Sequence, residues 1–130
     1  MAWLIDTCTF LHLISNTERV PGHLLARLEN ETLYVSVICL WEILIKHGKG
    51  LLRIDAGGTT VTAFWQAQCS ALALETLTVD AEAIRHLEHL PPLHKDPFDR
   101  LLICQAIEHG LGIVTPDQSI RQYPIKTLWD

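Results

Sequence analysis

The sequence predicts an α/β domain of three layers, with helices on both faces of a central parallel sheet of about five strands. Three observations carry this. Short apolar runs alternate with helix-like stretches along the chain. The runs are largely apolar rather than alternating, as in the strands read at residues 2–6 and 112–115, which is the pattern of strands buried on both faces. At 130 residues, 48% hydrophobic and 19% charged, the chain suits one domain over residues 1–130 with a core of its own.

Taken in order, residues 2–6 read as the first strand, and residues 7–15 as a short helix carrying Phe10, Leu11 and Ile14. Pro21 opens a second helix through Leu24, Leu25 and Leu28. Residues 33–36 form a second strand, and Ser36 is a good N-cap for a helix over 37–46 that Gly48 and Gly50 end. Residues 51–58 are irregular, with turn chemistry at Gly57 and Gly58. A helix starts at Thr59 or Thr60 and runs to about Ala73. Residues 75–79 are a third strand, and Asp80 caps a helix that Pro91 and Pro92 break after Leu90. Asp96 as N-cap, Pro97 at the first helical position and Asp99 in the first turn mark a helix that ends at Gly110. Strand 112–115, a turn or short helix at 116–122, and strand 125–128 finish the chain.

The bulk numbers exclude several function classes. No apolar run of about 18 residues is present, so no membrane span is expected, and no basic-then-apolar leader opens the chain. Cys8, Cys39, Cys69 and Cys104 are widely spaced in apolar or helical surroundings. They read as reduced, mostly buried thiols of a cytoplasmic protein rather than a disulfide framework or zinc knuckle. A net charge of −5 argues against coating nucleic acid through a broad basic surface.

Four acids stand in places where a carboxylate is costly unless something pairs with it. Asp6 closes the first strand, Glu42 interrupts the apolar run 37–45, Asp99 sits in the first turn of a helix, and Asp117 follows strand 112–115. In parallel sheets, sites form beyond the carboxyl ends of strands near the point where strand order reverses. No lysine or arginine has a matching place inside these hydrophobic runs, so a divalent cation is the simplest expected partner. Asp96 is explained by capping, and it is also a candidate for an auxiliary role beside Asp99.

With those residues in hand, the chain resembles a PIN domain, of the kind found in the VapC toxins of bacterial toxin–antitoxin pairs. Residues 4–11, with Asp6 and Thr7 after an apolar strand, resemble the family's opening motif, although Cys8 stands where Asn, His or Ser is more usual. Residues 36–46, with Trp41, Glu42 and Ile43, resemble the motif carrying the second acid. Residues 96–106 resemble the most specific motif of one PIN subgroup, beginning Asp-Pro-Phe-Asp-Arg-Leu-Leu, and residues 114–117 resemble the last. The resemblance implies a Mg²⁺- or Mn²⁺-dependent endoribonuclease with an RNA substrate, usually a homodimer and often neutralised by a small antitoxin. It implies that Asp6, Glu42, Asp99 and Asp117 are catalytic and hold the metal, with Thr7 and Thr115 supporting them.

The chemistry agrees. Phosphodiester hydrolysis needs an activated water and relief of charge at the phosphate, which carboxylates holding one or two hard cations about 3.5–4 Å apart provide. Oxygen ligands suit Mg²⁺, whereas scattered His and Cys would be needed for zinc. Arg100 either contacts phosphate or pairs with a surface acid. The short basic run of Lys46, His47, Lys49 and Arg53 is either a strip for an RNA backbone or an ordinary exposed loop. His86 and His89 fit a solvated helix face better than a metal pair, and His94 is explained equally by loop packing or by approach to the acids. Trp3, Phe10, Leu13, Phe64 and Trp65 exceed what a small core needs, so some are expected on an association surface.

Two enzymatic rivals fail on specific residues. A phosphoacceptor receiver domain needs a second acid beside Asp6, where Thr7 stands, and an acceptor on a strand, which Asp55 is not. A haloacid-dehalogenase-like phosphatase lacks its second acid at Cys8. The remaining alternative is a PIN-like module that binds a partner without cutting.

Overall fold

Parallel pairing of β1 (Ala2–Ile5) with a neighbour on each side sets the architecture. The structure, a computed structural model describing all 130 residues, joins β1 to β2 (Thr32–Ser36) on one edge and to β4 (Gly112–Val114) on the other. β3 (Glu75–Leu77) extends the sheet beyond β2, and β5 (Thr127–Leu128) extends it beyond β4, all in parallel. The order β3-β2-β1-β4-β5 reverses direction between β1 and β4. Parallel strands need crossovers, and seven helices supply them. They are α1 (Thr7–Ser15), α2 (Gly22–Leu28), α3 (Val37–Gly48), α4 (Val61–Ala71), α5 (Ala81–Ile84), α6 (Pro97–His109) and α7 (Gln118–Arg121).

Side chains alternate between the two sheet faces, and each face has its own core. Trp3, Ile5, Leu33, Val35 and Val114 pack against α1, α2 and α4, while Leu4 and Ile113 pack against α6 and α7. Helix α3 contributes Cys39 and Ile43 to the first core and Ile38 to the second, so it lies across the carboxyl edge and touches both layers. Of the five large apolar residues expected to supply an association surface in part, Trp3, Phe10 and Trp65 are core residues at 2%, 1% and 4% exposure, while Leu13 and Phe64 are half-buried. Exposed large apolar side chains include Trp41 and Leu44 on α3. No helix is long and apolar enough to cross a membrane.

Most expected elements are present with shifted ends. The helix from Asp80 covers only Ala81–Ile84 and tightens into a 3-10 turn over Arg85–Glu88. The third and last strands shorten to Glu75–Leu77 and Thr127–Leu128 because pairing, not composition, sets their ends. An unanticipated 3-10 turn, Thr17–Arg19, links α1 to α2. All four cysteines are free, three buried and Cys8 exposed.

Gly112 is the one glycine fixed by close approach. An added Cβ would lie on the Trp3 ring, 2.6 Å from its Cε3, and 3.1 Å from the Lys126 carbonyl. Gly112→Ala should therefore lower stability by about 1–3 kcal/mol through overpacking. Gly48→Ala, in open space at the end of α3, should stay within about 1 kcal/mol of wild type. Urea unfolding of both variants checks the pair.

Candidate active site

Asp6 is the first residue past the central strand, and it caps α1. Its Oδ1 accepts the Thr9 N–H at 2.8 Å, and its Oδ2 accepts the Thr115 hydroxyl at 2.6 Å. Thr115 follows β4 and in turn accepts the Asp117 N–H at 3.0 Å. Asp6 and Asp117 thus flank the point where strand order reverses, with Thr115 between them. Asp6 is 3% exposed, and burial raises its pKa against the opposing pull of the Thr115 and Thr9 hydrogen bonds.

Glu42 comes from α3, which starts where Ser36 accepts the Ile38 N–H at 3.0 Å. Its Oε1 accepts the Thr7 hydroxyl at 2.7 Å, and its Oε2 accepts Lys46 Nζ at 2.6 Å. No lysine or arginine lies inside the apolar runs, but Lys46, just past residues 37–45 and one helical turn beyond Glu42, brings a cation to the acids. The Glu42 hydrogen bond raises the Lys46 pKa, with Asp96 and Asp99 adding to it. Lys49 and Arg53 are exposed and do not line the cleft.

Asp96 caps α6, its Oδ1 accepting the Asp99 N–H at 2.9 Å, and so fixes the turn that carries Asp99. His94 Nε2 lies 3.1 Å from Asp99 Oδ2, and His94 Nδ1 lies 2.7 Å from the Tyr123 hydroxyl. Arg100 donates to the same hydroxyl and to the Pro91 carbonyl, each at 2.9 Å. The pattern assigns one direction to the chain of hydrogen bonds. Arg100 donates to Tyr123, whose hydroxyl donates to His94 Nδ1, and His94 Nε2–H donates to Asp99. Arg100 therefore braces the loop before α6 rather than facing the acids. Sequence reasoning left His94 undecided and missed Tyr123, which lies 29 residues away along the chain.

The structure brings Asp6, Glu42, Asp99 and Asp117 to one cleft of about 330 Å³, together with Thr7, Cys8, Asp96 and Lys46. Thr115 reaches it through its bonds to Asp6 and Asp117, and Arg100 does not line it. Burial pushes the Asp99 pKa up to about 6; the His94 hydrogen bond opposes this, while Asp96, Asp117 and Glu42 add to it. Burial, with Asp6, Asp117 and Glu42 nearby, pushes the Cys8 thiol up to about 11.

The donor set suits a hard divalent cation: five carboxylates with one ammonium among them, and three acids with an oxygen left unbonded. Those oxygens are Asp96 Oδ2, Asp99 Oδ1 and Asp117 Oδ2, the partner oxygens being taken. As the side chains stand, no three of His, Cys, Asp or Glu converge closely enough to form a ready-made metal set.

A raised carboxyl pKa has a definite sign in stability. Asp99 binds its proton more tightly in the folded protein, so its contribution is full below about pH 4 and is lost as pH rises through its folded value of about 6. In EDTA, Asp99→Asn should melt above wild type at about pH 7, and the gap should close towards about pH 4. Thermal melts of both proteins across that range check it.

The PIN domain family profile matches residues 3–126. No curated protein matches the chain. Several solved structures share its fold at low identity. VapBC2 from Rickettsia felis, solved bound to a DNA fragment from its promoter, is similar with a TM-score of 0.71 and 18% identity, covering 100% of both chains. DNA-bound VapBC from Salmonella typhimurium gives 0.67 and 21%, covering 98% of this chain and 97% of that one. A toxin–antitoxin complex from Klebsiella pneumoniae gives 0.63 and 16%, covering 97% and 95%. With the profile spanning nearly the whole sequence and the sheet, crossovers and acid cleft in place, the chain belongs to the PIN domain family.

Proposed function

We propose that this protein is a Mg²⁺- or Mn²⁺-dependent endoribonuclease, the toxin of a type II toxin–antitoxin pair, working in the cytoplasm. One observation carries the reading. Asp6, Glu42, Asp99 and Asp117, from four separate parts of a PIN-family chain, line one cleft at the carboxyl edge of its sheet. Gathering them costs stability, which a module that only binds a partner has no use for.

A divalent cation held by these carboxylates supplies charge relief at the scissile phosphate and an activated water. The chain's own residues do the positioning. Thr115 and Thr9 hold Asp6 between them, and Thr7 aims Glu42. Asp96 fixes the helix turn of Asp99, and His94 fixes its Oδ2, leaving Oδ1 to the cleft. Of the basic residues considered for an RNA backbone, Lys46 is the one lining the cleft; Lys49 and Arg53 would meet only more distant phosphates. Arg100 acts through Tyr123 and His94.

The partners in this reading are RNA, a small antitoxin and a second copy of the chain. The similar VapBC and toxin–antitoxin complexes support the antitoxin. The homodimer is supported by exposed Trp41 and Leu44 on α3, with Trp41 edge-on to Phe98 at 4.9 Å between ring centres.

Purified protein should cleave RNA with Mg²⁺ or Mn²⁺ and stop in EDTA. Asp99→Asn should fold normally and lose at least about 100-fold in rate. Time courses on a labelled RNA check this. Undiminished cleavage by clean Asp99→Asn protein, or cleavage indifferent to EDTA, would sink the reading.

A further inference from the structure

We propose that Lys46 is the built-in counter-cation of the acid cleft, and that a divalent cation reaches Glu42 by displacing it, which frees the Lys46 ammonium for a substrate phosphate. This rests on the metal-dependent reading of the site and adds an order of events to it.

Both oxygens of Glu42 are taken, and by unlike partners. Thr7 donates to Oε1 at 2.7 Å from a hydroxyl that is itself buried. Lys46 donates to Oε2 at 2.6 Å from a side chain that is 45% exposed, while the Glu42 side chain is 7% exposed. A buried carboxylate without a cation is costly, so the metal-free protein needs Lys46 where it is. The lysine end is held differently. Its stem is flexible and its ammonium hydrates well, so it moves into water at little cost, as half-exposed ion pairs generally do.

The cleft is otherwise arranged for one exchange. Asp96, Asp99 and Asp117 each keep an oxygen free of protein partners, and Lys46 is the only cation lining the cavity. A dication entering beside Glu42 Oε2 brings more charge to the same carboxylates than the ammonium it replaces. Thr7 stays on Oε1 and keeps Glu42 aimed. The displaced ammonium remains tethered one helical turn away, because residues four apart share a helix face. It is then the nearest protein cation for a phosphodiester. Metal loading and phosphate binding are thus coupled through a single ion pair, with the metal first.

The experiment is Mn²⁺ titration by calorimetry, with thermal melts in EDTA and in saturating Mn²⁺. The proteins are wild type, Lys46→Met, Lys46→Gln and Lys126→Met. The last removes the same charge from the far end of the sheet, where Lys126 reaches Met1. The Lys46 variants should bind Mn²⁺ about fivefold more tightly, the factor expected when a partly exposed ion pair no longer has to be broken. They should melt below wild type in EDTA, and that deficit should vanish in saturating Mn²⁺. Lys126→Met should match wild type in affinity. Equal or weaker Mn²⁺ binding by both Lys46 variants, or a melting deficit that persists unchanged with Mn²⁺, overturns displacement and leaves Lys46 a fixed partner of Glu42. Failure of wild type itself to bind Mn²⁺ overturns the metal-dependent reading and the displacement with it.

Discussion

The two hydrogen bonds that hold Asp6 are what the rest of the site depends on. Its carboxylate stands at the end of the innermost strand with almost no contact with water. It stays there because Thr9, in the first turn of α1, and Thr115, just past β4, each donate to one of its oxygens. The same residues tie the sheet together across its reversal point. Thr9 also donates its hydroxyl to the Val114 carbonyl at 2.8 Å, and Thr115 orients the turn of Asp117. A carboxylate that would otherwise break the core becomes the joint between α1, β1 and β4. Reversal of strand order leaves the space beside it, and the first turn of α6 and the middle of α3 fill its rim.

That joint sets the character of everything around it. Each further acid enters the rim with a donor that fixes its direction but does not cancel its charge: Thr7 for Glu42, His94 for Asp99, the Ser119 N–H for Asp117. Neutral donors orient a carboxylate without neutralising it, and Lys46 offsets only one of the five acids, so the cleft stays negative and partly dehydrated. Elevated values for Asp6 and Asp99 are the thermodynamic mark of that choice. Stability is recovered elsewhere, in two apolar cores on opposite faces of the sheet.

Much of this was legible before any coordinates. Largely apolar runs at residues 2–6 and 112–115 gave buried parallel strands, and capping chemistry at Ser36, Asp80 and Asp96 gave three helix starts. The acids stood out because each broke an apolar pattern. Three things were hidden. Trp3, Phe10 and Trp65 looked like surplus bulk because sequence cannot say that a two-faced sheet consumes large side chains on one face. Tyr123 had no motif around it, and its link to His94 and Arg100 exists only once the chain returns after β4. Short strands and the 3-10 ending of α5 depended on pairing partners and on the approaching prolines, neither of which propensity reports.

Lys46 is the instructive miss. Glutamate followed four residues later by lysine is among the commonest pairs on a solvated helix face, where it contributes little. In the sequence Lys46 reads as part of a basic run with His47, Lys49 and Arg53 and not as a partner of Glu42, and the last turn of a helix favours cations in any case. What changes its meaning is that α3 crosses the carboxyl edge of the sheet, so the face bearing Glu42 and Lys46 looks into the cleft instead of out to water. The same local pair then becomes the site's internal charge balance. Its asymmetry, one end buried and the other half in solvent, follows from the difference in side-chain length on a single helix face. A short carboxylate stays at the rim of the core while a long ammonium spans from it to water. A pair built this way is held firmly at the acid and loosely at the base, which makes the base the partner that a stronger cation exchanges.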